Sequence, residues 1–313
     1  MEMGKSKIQI LWLVLAAMSV PVLAASPVLS NQIIINSEDQ FSFARSIMDS
    51  GDFSRAVVEF ERFIHFFPEN SQVQTARYLI GICRLRDQRF QEARESFSEV
   101  IRTEPAGPLS GRALFLTGES YYQQGLSNQA AYYFNQIIEK YTDLDLKNAA
   151  LYRLGWTKMN ASRWCEASRI FSDVERQSTF FESAQQLAEK SLKGEALPQK
   201  NPTYAGLMSA IVPGLGHAYV SRYKDATVAF VVNGLFIWGA VQSFRQDQNV
   251  VGGILTFLEI GWYSGNIYSA VNATHKYNRK VHDDFRGSLK DRLDLNLFTE
   301  RKGQIGLAFS LRF

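Results

Sequence analysis

The chain has 313 residues, 46% of them apolar and 21% charged, with a formal net charge of +3. That length allows about two domains at roughly 150 residues each, and the composition is that of an ordinary folded protein. So small a positive charge, scattered along the chain, argues against a nucleic-acid partner.

The N-terminus reads as an export address. Lys5 and Lys7 precede an apolar run from Ile8 to Ala25, and Val22-Leu23-Ala24 places small residues where a signal peptidase cuts. Residues 1–25 are therefore expected to be a signal peptide, with an uncleaved N-terminal anchor as the alternative. No cysteine stands directly after the cleavage point, so a lipoprotein signal is not expected.

A repeat organises the next segment. Ala56, Ala93, Ala130 and Ala167 are spaced 37 residues apart, and each is followed four positions later by a phenylalanine: Phe60, Phe97, Phe134 and Phe171. Twelve positions before each alanine stands a small residue: Ala44, Gly81, Gly118 and Gly155. Each unit reads as two helices. The small residue on helix A lets helix B approach, and the alanine and phenylalanine of helix B fill the contact. Phe67-Pro68-Glu69-Asn70 and Glu104-Pro105-Ala106-Gly107-Pro108 divide units, while Gly51 and Gly125 mark turns between helices A and B. Residues 180–194 read as a capping helix, closing a domain over 38–194, and 195–203 as a linker.

These residues resemble the tetratricopeptide repeat (TPR) family. Leu154-Gly155, Gly118 with Tyr121, the Ala-x-x-x-Phe pairs, Pro68 and Pro105 match its pattern, whereas Thr142 departs from its terminal proline. The 37-residue period exceeds the usual 34 or so and is similar to periplasmic members of the barrel-assembly and Tol-Pal-associated type. The resemblance implies a superhelix with a concave face lined by helix A. Phe41, Tyr78, Phe115 and Tyr152 would face that groove, followed by Arg45, Ile82, Glu119 and Trp156 and, one turn later, by Tyr122. Such a groove would take a helix or extended peptide from an envelope protein. The alternative is that the aromatic ladder packs between repeats.

From Tyr204 the texture changes. Tyr204–Val220 and Ala226–Phe244 carry no charge, and Val250–Thr274 carries one, Glu259. A 19-residue helix spans roughly 28 Å, close to a bilayer core of about 30 Å. Residues 204–275 are therefore expected to form a membrane helical module with two spans, the first segment being short or re-entrant because Pro213-Gly214 breaks it. Pro213, Gly214, Gly216 and Tyr219 resemble the Pro-Gly-x-Gly-x-x-Tyr turn of small bacterial membrane-hairpin domains. Their glycines suit close helix contact and could support a homo-oligomer. Glu259 is costly in mid-span. It reads either as a functional group or as a protonated one bonded near His217 or Asn233.

The tail, 276–313, is basic. Leu293, Leu295 and Leu297, then Ile305, Leu307, Phe309, Leu311 and Phe313, alternate with polar residues about a turn near Arg301-Lys302-Gly303, the pattern of a β-hairpin. If three segments cross the bilayer, the tail is cytoplasmic. If two cross, it returns to the side of the repeats. The expected fold is all-α, a TPR-like superhelix followed by a membrane helical hairpin, with a short C-terminal β-hairpin.

Cys83 and Cys165 are 82 residues apart and read as buried small apolar residues, and His65, His217, His275 and His282 show no metal-ligand spacing. No nucleophile motif, phosphate loop or paired carboxylates appear, so neither an enzyme nor a cofactor is expected. The functional expectation is an exported scaffold. Its repeats would be periplasmic and it would be anchored in a membrane, the inner one in preference to the outer. The alternative is an accessory or sensor subunit of a membrane transporter or channel.

Overall fold

The computed structural model describes residues 36–290 and the short segments 294–296 and 310–312. The expected signal peptide and hairpin turn lie outside the described residues. Eight helices pair into four units: α1 (Ser37–Asp49) with α2 (Phe53–Phe66), α3 (Val73–Arg86) with α4 (Phe90–Thr103), α5 (Ser110–Gln123) with α6 (Ser127–Lys140), and α7 (Leu144–Asn160) with α8 (Trp164–Ser172). A capping helix, α9 (Phe181–Leu192), and a 3-10 turn over Lys193–Ala196 follow. The chain is all-α in character, a TPR-like superhelix.

The helices begin where the sequence offers caps. Asn36 accepts from the Asp39 N–H at 2.8 Å, Asp52 from Arg55 at 3.2 Å, and Asp143 from Asp145 and Leu146 at 3.0 and 3.1 Å. The A–B turns repeat one geometry. Gly51, Gln88, Gly125 and Ser162 all have positive φ, between 57° and 86°, at the same 37-residue spacing. After each, the next N–H reaches back to close the helix end: Asp52 to Ile47 O, Arg89 to Arg84 O, Leu126 to Tyr121 O and Arg163 to Lys158 O, at 2.8–3.3 Å.

The core runs along the array between the paired helices. Its largest fully buried side chains include the four phenylalanines of the register and the helix-A rings Phe115 and Tyr152, with the register alanines buried beside them. A Cβ placed on Gly81, Gly118 or Gly155 would come within 2.4, 2.8 and 2.6 Å of Phe97, Phe134 and Phe171 respectively. The small residue of helix A is thus the seat of the helix-B ring one unit at a time.

Beyond the array lie α10 (Pro202–Ile211), α11 (Leu215–Tyr219), α12 (Tyr223–Arg245) and α13 (Asn249–Lys290). The break between α10 and α11 falls at Pro213-Gly214. Gly214 has φ +86°, and its missing side chain makes room for the carbonyl of Ala226. By length and apolarity, one helix among the described residues is suited to cross a membrane, Tyr223–Arg245. The expected second span, 250–274, is only the first part of α13 and does not reach that standard. Asp294–Asn296 pairs antiparallel with Ser310–Arg312, Leu295 opposite Leu311.

Candidate functional site

The inner side of the repeat array differs from the open groove expected. Phe41, Tyr78, Phe115 and Tyr152 are all buried, and so are Ile82, Glu119 and Trp156. The rings pack against helix-B phenylalanines: Phe41 on Phe60 at 5.6 Å and Phe63 at 5.2 Å, Tyr78 on Phe97 at 6.1 Å, Phe115 on Phe134 at 5.4 Å, and Tyr152 on Phe171 at 5.6 Å. Trp156 also meets Phe171 edge-on at 6.3 Å. The ladder is core. Aromatic rings of this size gain more from complete burial in an edge-to-face stack than from a wet groove. Of the residues proposed to line the groove, only Arg45 and Tyr122 remain partly exposed.

The polar members of that set form a buried charge cluster. Arg153 Nε lies 3.0 Å from Glu119 Oε2, joining helix A of the third unit to helix A of the fourth. The Arg153 guanidinium stands 5.1 Å from the Tyr122 ring centroid, and Gln123 Nε2 donates to Glu119 Oε1 at 3.1 Å. Burial raises the Tyr122 phenol above its ordinary range, with Arg153 opposing the rise. The Tyr152 hydroxyl bonds Ser183 Oγ at 2.7 Å, fastening the last unit to the capping helix.

A second meeting point was invisible in the sequence. α13 extends past the apolar run, and its last turns dock on the fourth unit. The His282 ring stacks on Trp164 at 5.5 Å with 7° between planes, and Phe285 meets the same indole edge-on at 5.5 Å. Arg286 Nη1 donates to the carbonyls of Asn160 at 2.9 Å and Met159 at 3.3 Å. Leu289 is buried with the repeat core. On its other side Trp164 rests on Gly194, where a Cβ would sit 2.3 Å from the indole. The expected linker, 195–203, is tied to α13: Lys200 N donates to Asn278 Oδ1 at 2.9 Å, and Asn278 Nδ2 returns a bond to Lys200 O at 2.8 Å.

In the hydrophobic module, Gly216 sits against Ala205, whose carbonyl would be 2.1 Å from an added Cβ, and Gly216 N donates to Ser209 Oγ at 3.1 Å. The Tyr219 hydroxyl accepts from Asn201 N at 3.2 Å, and Lys200 Nζ lies 4.6 Å from its ring centroid. Pro213, Gly214, Gly216 and Tyr219 therefore build the tight corner between α10 and α12. Glu259 is buried, but neither oxygen has a partner. His217 bonds Ser269 instead, at 3.1 Å, and Asn233 Nδ2 donates to Ala229 O at 2.5 Å. The expected bond from Glu259 to either is not made.

Both cysteines are free. Cys83 is buried, and desolvation pushes its thiol up to about 12. Cys165 is exposed, against expectation, because it sits on the outer face of α8 beside Glu195. Among the described residues no three His, Cys, Asp or Glu side chains are grouped to hold a metal ion.

Residues 41–108 and 78–145 match the family model of the tetratricopeptide repeat. No curated protein matches the chain. Among solved structures, TPR-like repeats assigned to a kinesin light chain of Podosopora anserina are 13% identical, covering 52% of this chain and 90% of that one with a TM-score of 0.42. A tetratricopeptide repeat protein from Parabacteroides merdae is 13% identical, covering 76% and 98%, with a TM-score of 0.42. PilF of Pseudomonas aeruginosa is 11% identical, covering 80% and 97%, with a TM-score of 0.36. With the four-unit register and the family match together, residues 41–145 are tetratricopeptide repeats, units whose general use is to hold protein partners.

Proposed function

We propose that this chain is a membrane-tethered scaffold of the bacterial cell envelope, with its repeats in the periplasm and a protein or peptide as their cargo. The observation that carries the tether is the exposed apolar surface of α12. Only 22% of its most apolar 18-residue stretch is covered by the rest of the protein. Phe230, Leu235 and Trp238 stand at 59%, 61% and 67% exposure. A surface of that kind calls for lipid or another apolar partner, such as a second copy. The basic and apolar start of the chain supports export.

Two features support a hairpin arrangement. α12 and α13 are joined by a three-residue turn, 246–248, and the far end of α13 touches the fourth repeat unit. In this reading α12 leaves the repeats and the apolar start of α13 returns toward them, which favours tail and repeats on one side of the bilayer.

Partner contact falls to the half-exposed inner residues, Arg45 and Tyr122, since the ladder between them is occupied with packing. A photo-crosslinking amino acid at position 45 and, separately, at 122 should join the same partner in living cells, with position 115 in the core as the silent control. Crosslinks confined to outward residues such as Tyr132 and Phe66 would reject the inner face.

A further inference from the structure

The hydrophobic module contains a cleft that the scaffold reading does not use. It lies between α11, α12 and α13, has a volume of about 480 Å³, and is bordered by His217, Asp225, Val228, Trp262, Gly265 and Asn266. That volume is in the roughly 300–1,000 Å³ range of small-molecule sites.

The cleft is polar at one end and apolar at the other. At its polar end Arg222 Nε pairs with Asp225 Oδ2 at 2.5 Å, and His217 Nε2 pairs with Ser269 Oγ at 3.1 Å. Asn266, 7% exposed, has neither amide atom bonded, and His217, 3% exposed, leaves Nδ1 without a partner. Buried polar atoms are seldom left without a hydrogen-bond partner, so two such side chains at one cleft point to a ligand that bonds them. Toward the other end the walls are Val228, Ala229, Trp262 and the backbone at Gly261 and Gly265. From Ser269 to Gly261 the helix advances about 12 Å, from polar groups into the apolar body of the module. A Cβ at Gly261 or Gly265 meets nothing within 4 Å, so these glycines leave open space rather than permit helix contact.

We infer that this cleft binds a single-chain amphiphile whose small head group both donates and accepts hydrogen bonds, a carboxylic acid or alcohol on an alkyl tail. Asn266 supplies a donor through Nδ2 and an acceptor through Oδ1, which such a head group satisfies together. His217 Nδ1 adds a third contact, and the tail lies along Gly265 and Gly261 against Trp262. The inference rests on these residues alone and holds whichever partner the repeats bind.

The test uses the full chain in a mild detergent, a palmitic acid analogue carrying a diazirine, and peptide mapping after irradiation. A phosphatidylcholine with the same diazirine, whose head group has no donor, is the comparison. Labelling by the acid should saturate, fall mainly within residues 217–229 and 261–269, and be displaced by unlabelled palmitic acid. Gly265→Leu should lower it at least tenfold by filling the cleft. Leucine favours the helix over glycine and its Cβ meets no atom within 4 Å, so the backbone of α13 is kept. Asn266→Leu should lower it comparably by removing the head-group contacts. Labelling spread over the outer face of α12, equal labelling by the phosphatidylcholine, labelling unchanged in both variants, or protein–protein crosslinks from the cleft to a second copy would each overturn the assignment.

Discussion

Replacing Gly155 with alanine tests why each unit keeps a small residue on helix A. A Cβ at this position would lie 2.6, 2.7 and 2.7 Å from three carbons of the Phe171 ring. Unstrained carbons rest about 3.5–4.0 Å apart, so the ring must retreat by roughly 1 Å. Phe171 is fully buried, with Tyr152 and Trp156 against it at 5.6 and 6.3 Å. Its retreat therefore displaces two further rings. Adding a methyl to a packed core costs about 1–3 kcal/mol, while alanine returns about 0.5–1 kcal/mol as the better helix former. The expected net loss is about 1 kcal/mol, or roughly 2–4 °C in the melting temperature of a domain this size. Thermal unfolding of the full chain in mild detergent, followed by far-UV circular dichroism, reads it. Gly155→Ala combined with Phe171→Leu should recover part of the loss, because the smaller side chain vacates the space. The first unit already holds Ala44 at the equivalent position, fully buried, so Ala44→Gly should cost helix propensity, about 1 kcal/mol, together with the burial of one methyl group, about 0.8 kcal/mol. A Gly155→Ala protein more stable than the parent would refute the argument that this contact dictates the small residue.

Breaking the buried ion pair by Glu119→Ala should cost about 3–5 kcal/mol, since Arg153 is left buried without its carboxylate; joint replacement by leucine and methionine should restore much of this in the same melt. Trp164→Ala should free the end of α13, seen as new trypsin cleavage at Arg286 in limited proteolysis, while the apolar part of that helix stays protected. At pH 8 a maleimide should modify exposed Cys165 and spare Cys83 until the protein is denatured. The Cys83 thiol is raised from 9.0 to about 12, so folding favours its neutral form. That contribution is complete below pH of about 9 and is lost as pH rises toward 12, and Cys83→Ala should flatten the alkaline loss of stability.

The repeat was legible because it rests on a local rule written four times. Helix A gives up a side chain, helix B supplies a phenylalanine, and both recur at 37 residues. The break at Pro213-Gly214 was legible for the same reason, being a matter of two residues. Two of the four A–B turns were not, because Gln88 and Ser162 take the left-handed conformation without glycine's signature. The groove residues misled because a pattern within one unit shows only which side of a helix faces inward. It does not show that the ring three residues before the small one turns onto helix B of its own unit and is buried there. The docking of α13 could not be read either. Residues 276–290 are charged and polar in composition, and their one buried face is defined by Trp164, more than a hundred residues earlier.

The arrangement of tail and repeats about the membrane tests the account most directly. The measurement is protease accessibility in spheroplasts of the C-terminally tagged chain, with carbonate-washed membranes as the fractionation control. The account predicts that the chain stays in the washed membrane fraction and that repeats and tag are both digested from outside. A chain released by carbonate, or repeats protected until the membrane is lysed, would contradict it.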